Sequence, residues 1–499
     1  MHHSLQRLAL IPLLLLGACS LWPEYEKPAV AIPQAFKQAD TVNGWKTGQP
    51  GDEQLRTAWW ESYHDAQLNS LVTQAINANQ NLVLAEANFR RAAAASSVNR
   101  SALWPTVTAN GSATRAKRST NAVRIGADPI IETYNLSLNA SWEPDIWGRI
   151  RKQIESGDAL LQASKADIEV SRLSLIASLA QEYFQLRVLD TQLLLLDDTL
   201  KALDRSKQVT LNRYRAGVAT KTDVNQADAL HKNTLVVAAE TRLQRAQSEH
   251  AIALLLGKAP AELNIAANPF NMQTQLTPPA VPVSLPAALL ERRPDISAAE
   301  RRVAAANAEI GIAKTAYFPS LNLTAGAGYQ SNAFSNLIST PSRIWSIGPL
   351  IALNVFDGGL RKAQTDAAIA GYDATVAQYR QTVLTAFQEV EDQLAAISLL
   401  SEQAGYQQAA IKASSDALQE STNRYKAGTL DYLNVITWQT NTLNNQRNLI
   451  AIHGRQLQAS VALVRAIGGG WSNQLNAGSA LNSTSQPENT SGQHPQTTH

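Results

Sequence analysis

The chain has 499 residues, with 43 lysines and arginines against 41 aspartates and glutamates, and a formal net charge of +2. This balance gives no reason to expect a nucleic-acid partner. The single cysteine, Cys19, excludes intramolecular disulfides and cysteine metal clusters.

The first 18 residues are predicted to be a signal peptide. Arg7 precedes an apolar run, Leu8–Ala18, which is shorter than the roughly 20 residues that a helix needs to span a bilayer. Cys19 follows this run directly and completes a sequence that resembles a bacterial lipobox, in which the cysteine is lipidated and begins the mature chain. The next residue is Ser20, whereas an aspartate there would resemble an inner-membrane retention signal. We therefore expect a lipid, palmitate included, on Cys19.

Residues 19–60 are predicted to be an extended segment, because four prolines interrupt them without helical periodicity. From Trp59 onward, apolar residues recur near helical spacing, and this pattern predicts one helix that ends at about Leu103, before Pro105. The prolines are Pro23, Pro28, Pro33 and Pro50.

Four segments alternate apolar and small polar residues with period two, which predicts strands at about 105–115, 133–143, 319–329 and 345–356. Aromatic residues stand near the strand ends, as in membrane barrels. Two amphipathic hairpins on a soluble core are the alternative. Four strands cannot close a barrel, since known barrels have at least 8. The chain must therefore oligomerise if it spans a membrane, and counting alone leaves two or three copies open.

Two long helices, from Gly148 to about Tyr214 and from Gly359 to about Tyr425, are predicted after the strands. About 65 residues at 1.5 Å per residue reach roughly 100 Å, and the second carries apolar positions at coiled-coil spacing. Each ends near a glycine suited to a left-handed helix terminus, and a return helix follows, to about Leu256 or Ile467. The glycines are Gly217 and Gly428, and Thr220 with Asp223 predicts a capping box at the first return helix.

An internal duplication organises the chain. Arg213-Tyr214-Arg215-Ala216-Gly217 recurs 211 positions later as Arg424-Tyr425-Lys426-Ala427-Gly428, and Leu103-Trp104-Pro105 recurs 214 positions later as Tyr317-Phe318-Pro319. The sequence therefore predicts two repeats, 61–257 and 286–471, joined by a linker, 258–285. The polar tail, 472–499, is predicted to be disordered.

Motifs of enzymes and of metal sites are missing from the sequence. The eight histidines have no ligand spacing, and no phosphate-binding or nucleophile motif is present. We expect no enzymatic activity, no cofactor and no metal.

The residues that carry a family resemblance are Cys19 with Pro23-x-Tyr25-x-x-Pro28, Trp59-Trp60, Glu291-Arg292-Arg293-Pro294-Asp295-Ile296, and the duplicated R-Y-x-A-G. Together they resemble the TolC-like outer membrane factors, most closely the OprM/NodT lipoprotein branch, over about residues 19–471. The resemblance implies an α+β membrane protein. It forms a homotrimer with four strands per chain in a 12-stranded β-barrel, a long periplasmic α-helical barrel, and an equatorial region that includes residues 19–60.

The function that this resemblance implies is a passive exit duct in the outer membrane, reaching into the periplasm. An inner-membrane transporter of the resistance-nodulation-division type and a periplasmic adaptor (membrane fusion) protein complete the pump, which exports drugs or other toxic small molecules. Outer membrane lipids surround the barrel. The alternatives are a duct of the same fold for protein secretion or metal-ion efflux, and a structural helical lipoprotein without a pore.

The helix-turn-helix tips are the candidate gate and docking sites. In the TolC-like family an aspartate after the first tip and a tyrosine at the second help to hold the periplasmic mouth shut by hydrogen bonding, and these positions match Asp223 and Tyr425. Asp431 is a further gate candidate. An alternative is that Asp223 caps a helix and Tyr425 packs at its turn. Candidates for adaptor docking are Arg213, Tyr214, Gly217, Arg424 and Gly428.

Overall fold

The computed structural model describes residues 24–37, 58–119, 130–271 and 293–469, and the backbone of residues 46–47 and 282–283. The predicted signal peptide, Cys19, residues 272–281 and 284–285 of the predicted linker, and the predicted disordered tail lie outside the described residues. Within the described ranges, no helix combines the length and apolarity needed to cross a membrane.

Seven α-helices and six strands make up the described chain. The helices are α1 Ala66–Ala78, α2 Gln80–Ser101, α3 Arg149–Arg215, α4 Lys221–Leu255, α5 Pro294–Thr315, α6 Leu360–Lys426 and α7 Tyr432–Ala466. The strands are β1 Lys46–Thr47, β2 Thr106–Lys117, β3 Ile130–Trp142, β4 Pro282–Val283, β5 Ser320–Ser331 and β6 Arg343–Ala352. The long helices and both return helices therefore agree with the sequence prediction to within about two residues.

The four long strands form one antiparallel sheet in the order β2-β3-β5-β6, so the two predicted hairpins lie side by side. Leu138 of β3 pairs with Ala109 of β2 and Ala327 of β5, which places the apolar residues of neighbouring strands on one face. On the other face, the Ser141 hydroxyl donates to the Asn322 side chain at 3.0 Å. The predicted fourth strand was too long, because β6 ends at Ala352 and not near residue 356.

The prediction of a single helix before the first strand was wrong. The backbone leaves helical geometry at Asn79, with ψ at 126°, and separates α1 from α2. The Asn79 side chain donates to the Leu255 carbonyl at 2.8 Å, so a contact with a distant part of the chain accompanies the break. Asp65 begins α1, because its carboxylate accepts from the backbone N–H groups of Gln67 and Leu68.

Two compact units share the chain. The first takes in the described residues of 24–31, 80–171 and 295–384, and it contains the four-stranded sheet. In this unit Ala159, Ala304 and Ala305 form a small core against which Tyr25 packs, and the Tyr25 hydroxyl donates to the Glu300 carboxylate.

The second unit takes in the described residues of 32–79, 172–294 and 385–469. Its core joins α1, the middle of α3, the end of α4 and α7, with Leu68, Tyr183, Ile252 and Val461 fully buried. The parallel pair β1–β4 also lies in this unit.

Polar side chains of α3 hold the segment that follows α4. The Arg187 guanidinium donates through Nε to the Asn268 carbonyl at 2.9 Å, and Asp190 accepts from the Asn268 N–H at 3.0 Å. Thr191 accepts from the Phe270 N–H at 2.8 Å. Because all three side chains are buried, these bonds specify where the beginning of the predicted linker lies.

Candidate functional site

The duplicated R-Y-x-A-G sequence forms a Schellman cap at each long helix. At the first tip, the Val218 N–H donates to the Arg213 carbonyl at 2.9 Å and the Gly217 N–H donates to the Tyr214 carbonyl at 2.9 Å. Gly217 has a φ of +75°, in the left-handed region that favours glycine. The motif therefore recurs because it terminates a helix and reverses the chain.

The second tip repeats this geometry. The Thr429 N–H donates to the Arg424 carbonyl and the Gly428 N–H donates to the Tyr425 carbonyl, both at 3.0 Å, and Gly428 has a φ of +76°. The two tips are therefore conformationally equivalent, although their side chains differ.

Asp223 caps the first return helix, as the sequence predicted. Its backbone N–H donates to the Thr220 hydroxyl at 3.1 Å, and its carboxylate accepts from the Thr220 N–H at 2.8 Å. This reciprocal pair is a capping box, which satisfies two N–H groups at the helix start. Asp431 occupies the equivalent position to Thr220 in the second repeat, but its side chain makes no cap hydrogen bond.

Tyr425 packs between the two helical hairpins. The Arg213 guanidinium carbon lies 4.7 Å from the centre of its ring, and the Tyr432 ring centre lies 5.0 Å away. The Tyr425 hydroxyl is buried beside the Thr210 side chain without full hydrogen-bond geometry, and the described residues show no hydrogen bond between it and Asp223. Burial raises the pKa of Tyr425, and the positive charge of Arg213 opposes that rise.

The remaining tip candidates fall into two groups. Tyr214, with two-fifths of its surface exposed, and Arg424 face solvent, whereas Arg213 is half-buried against Tyr425 and donates from Nη1 to the Lys426 carbonyl at 3.5 Å. Sequence reasoning missed Tyr432, which is 2% exposed and hydrogen-bonded to Ser206 at 3.0 Å. Nothing in the motif marked it, because its importance arises from packing against another helix.

The tips show no arrangement for metal binding. Among the described residues, no group of three or more histidine, cysteine, aspartate and glutamate side chains is placed to hold a metal ion. The chemistry of this site is therefore packing and charge at two chain reversals.

Comparison with known proteins gives a consistent result. The family model described as "Outer membrane efflux protein" matches residues 71–258 and 285–469. The toluene efflux pump outer membrane protein TtgC of Pseudomonas putida is 32% identical over 477 residues, which cover 95% of this chain and 97% of that protein. The antibiotic efflux pump outer membrane protein ArpC of Pseudomonas putida has the same identity and coverage. The solved outer-membrane channel OprN has a TM-score of 0.83 at 32% identity, covering 91% of this chain and all of that chain.

These matches bear on the sequence predictions. The two segments of the family model fall on the two predicted repeats, and the likeness to OprN confirms the predicted fold class of a TolC-like α+β membrane channel. Four long strands and two 67-residue helices per chain are consistent with a trimeric 12-stranded barrel that is continued by an α-helical barrel.

Proposed function

The chain belongs to the outer membrane efflux protein family, and we propose on that premise that it forms the passive exit duct of a tripartite efflux pump. The observation that carries this proposal is the pair of sheet edges, β2 and β6, which pair with no further strand of the described chain although the sheet has an apolar face. An open edge in lipid leaves backbone groups unsatisfied at several kcal/mol each, so the edges must pair with other copies. An inner-membrane transporter of the resistance-nodulation-division type and a periplasmic adaptor complete the pump.

The cargo that we propose is small toxic molecules. The names of two relatives refer to toluene and to antibiotics, and both relatives match nearly the whole of this chain. Protein secretion and metal-ion efflux remain the alternatives, and no observation on the described residues favours either of them.

We expect the isolated protein to be a trimer that conducts ions when its periplasmic end is loosened. Three copies supply 12 strands, and the edges β6 and β2 of neighbouring copies then pair around a closed barrel. Native mass spectrometry of the detergent-solubilised protein and planar-bilayer recordings test this expectation. A largest species of two subunits would contradict the stoichiometry, and a trimer that never conducts would contradict the duct.

The position of Cys19 supports lipid anchoring at the outer membrane. We expect the mature N-terminus to be a lipidated Cys19, because the cysteine directly follows a signal-like run that is too short to span a bilayer. Mass spectrometry of the N-terminal peptide checks this, and an unmodified thiol on the mature protein would refute it. Cys19→Ser should abolish the modification, whereas trimers should still form because the barrel itself holds the protein in the membrane.

We further propose that the two tips form the periplasmic gate. Asp223 fixes the start of α4, and Tyr425 joins α6 to Arg213 of α3 and Tyr432 of α7. A helix cap contributes about 1 kcal/mol, and an aromatic pair contributes roughly 0.5–1.5 kcal/mol. If opening breaks these contacts, their three symmetric copies bias the closed mouth by several kcal/mol.

The double substitution Asp223→Ala with Tyr425→Ala is expected to raise single-channel conductance and to sensitise cells to large antibiotics. It removes both the charge at the helix start and the ring that packs against Arg213. Planar-bilayer recordings and susceptibility tests measure the two effects. Unchanged conductance in a normally assembled double variant would exclude these residues as the gate.

Two control variants separate the possible causes. Thr220→Ala removes the hydroxyl half of the capping box but keeps the Asp223 carboxylate and its bond to the backbone N–H of residue 220, so an equal rise in conductance would attribute the effect to the lost hydroxyl cap. Tyr425→Phe keeps the ring and removes a hydroxyl that lies beside Thr210 without full hydrogen-bond geometry within the chain. We expect Tyr425→Phe to leave conductance near the wild-type value, and a rise would indicate that the hydroxyl bonds between chains.

A further inference from the structure

The apolar face of the four-stranded sheet carries an oblique row of aromatic side chains near the hairpin loops. Tyr134 of β3 pairs with Ser331, Tyr329 of β5 pairs with Leu136, and Trp345 of β6 pairs with Ala327. On each following strand the aromatic residue therefore lies two positions further from the hairpin loops than the residue that pairs with the previous aromatic residue. Strands tilted by about 35–45° in a barrel place residues of equal depth along such an oblique row. The row is an aromatic belt of the kind that lies at a membrane interface.

Three cations occupy this belt or the position directly outside it on the same face. Continuing the row from Tyr134 to β2 leads to Arg115, and the next outward positions are Lys117 on β2 and Arg343 on β6. The side chain of Arg115 is 71% exposed, and Lys117 and Arg343 are also exposed.

The charge of this group is unbalanced among the residues that the structure describes. Glu132 lies beside it, with its carboxylate 3.4 Å from the Arg115 Nε. Within the described residues, Lys117 and Arg343 contact no carboxylate, so three cations and one acid leave an excess of 3 − 1 = 2 positive charges per chain.

The opposite end of the strands is different. There, Arg149 pairs with Glu143 at 2.6 Å and Arg361 pairs with Asp357 at 2.5 Å, so these arginines are neutralised within the chain. The excess of positive charge on the described strands therefore lies at the loop end of the sheet. An apolar face whose loop end carries excess positive charge is complementary to a membrane with an anionic outer leaflet.

We propose that Arg115, Lys117 and Arg343 bind the phosphate groups of an anionic glycolipid in the outer leaflet of the outer membrane. The inference rests on the proposed function, which puts the helices in the periplasm and the hairpin loops outside. Arginine suits phosphate because its planar fork donates two parallel hydrogen bonds, and lysine supplies a point charge. Long basic side chains just outside an aromatic belt reach the headgroup level while their stems stay against apolar surface.

Closure of the barrel completes this phosphate site. When β6 of one copy pairs with β2 of the next, Arg343 stands on the strand beside the one that carries Arg115 and Lys117 of the neighbour. Each seam between copies then presents cations from two chains to one headgroup, so the bound glycolipid is expected to stabilise the trimer.

The test measures binding and thermal stabilisation of the full-length trimer in non-ionic detergent. The probes are lipid A with two phosphates, lipid A with both phosphates removed, and inorganic phosphate. We expect lipid A with its phosphates to raise the melting temperature, whereas the other two probes should leave it nearly unchanged. Arg115→Gln with Lys117→Gln and Arg343→Gln should weaken lipid A binding at least about tenfold, which corresponds to about 1.4 kcal/mol.

Matched variants make the result specific. Arg90→Gln with Arg91→Gln and Lys412→Gln removes three exposed helical charges and should bind lipid A as the wild type does. Arg115→Lys with Arg343→Lys keeps the charge and should retain most of the binding. Equal binding of dephosphorylated lipid A, or normal binding by the triple strand variant, would overturn the proposal. A variant trimer that conducts normally but does not bind lipid A supports it, whereas a wild-type protein that forms no conducting trimer refutes the proposed function instead.

Discussion

Replacing Arg187 by methionine is expected to destabilise the folded protein by about 3–5 kcal/mol, the range for breaking a buried ion pair from one side. The Arg187 Nη1 lies 2.5 Å from the Asp65 carboxylate, and the two side chains are 7% and 11% exposed. The guanidinium carbon also lies 4.2 Å from the centre of the Phe270 ring. The substitution leaves Asp65 charged without its cationic partner, so that only the Tyr183 hydroxyl and two backbone N–H groups still donate to it. It also removes the donor to the Asn268 carbonyl.

Thermal and denaturant unfolding of the detergent-solubilised protein, followed by circular dichroism, measures this loss. Arg205→Met, at an exposed position of the same helix, is the control and should change stability by less than about 0.5 kcal/mol. Asp65→Asn keeps a side chain that can cap α1 but removes the negative charge. The loss of stability in the double variant Asp65→Asn with Arg187→Met should be smaller than the sum of the two single losses, because both changes break the same interaction. A loss below about 1 kcal/mol for Arg187→Met would show that the pair is dispensable.

The substitution Gly257→Ala is expected to cost about 2–5 kcal/mol. Gly257 ends α4 with a φ of +66°, and a Cβ at this position would lie 2.3 Å from the Ala78 carbonyl oxygen. The left-handed conformation costs a residue with a Cβ roughly 1–2 kcal/mol, and overpacking costs roughly a further 1–3 kcal/mol. The carbonyl oxygen of Ala78 belongs to the backbone, so a change of side-chain rotamer cannot relieve the contact.

Gly217→Ala provides a matched comparison. Gly217 ends α3 in the same type of cap with a φ of +75°, but a Cβ there would have nothing within 4 Å among the described residues. We therefore expect only the conformational part of the cost, roughly 1–2 kcal/mol. Melting temperatures of the two variants, compared with the wild type, measure the difference. Equal losses would show that the contact with Ala78 relaxes without cost.

The tips illustrate how far local sequence determines structure. The left-handed glycines and the capping box of Thr220 with Asp223 depend on residues within a few positions of one another, and the structure confirms both. The environment of Tyr425 does not follow from its neighbours in sequence, because Arg213 reaches it from another helix. Its hydroxyl was expected to take part in hydrogen bonding at a gate, but within the described chain it lies beside Thr210 without full hydrogen-bond geometry, and no hydrogen bond joins it to Asp223. The gate itself remains a proposal.

Arg187 and Asp190 also show that local sequence does not determine which distant residues a buried charge contacts. In the sequence they stand out only as charges that interrupt the apolar run Leu173–Leu196. Their contacts with the backbone of Asn268 were not predictable, because Asn268 lies about 80 positions further along the chain and no local pattern links it to them. In the structure both hold the backbone of Asn268.

The sequence by itself determined the two repeats, the positions of the four long strands and the ends of the long helices. Period-two alternation, helical spacing and glycine caps are local, and each repeat contains them independently. Tertiary structure decided the break at Asn79, the end of β6 at Ala352 and the partners of the buried charges. These features depend on which distant surfaces meet, because a buried polar group must find its partner wherever the fold places one.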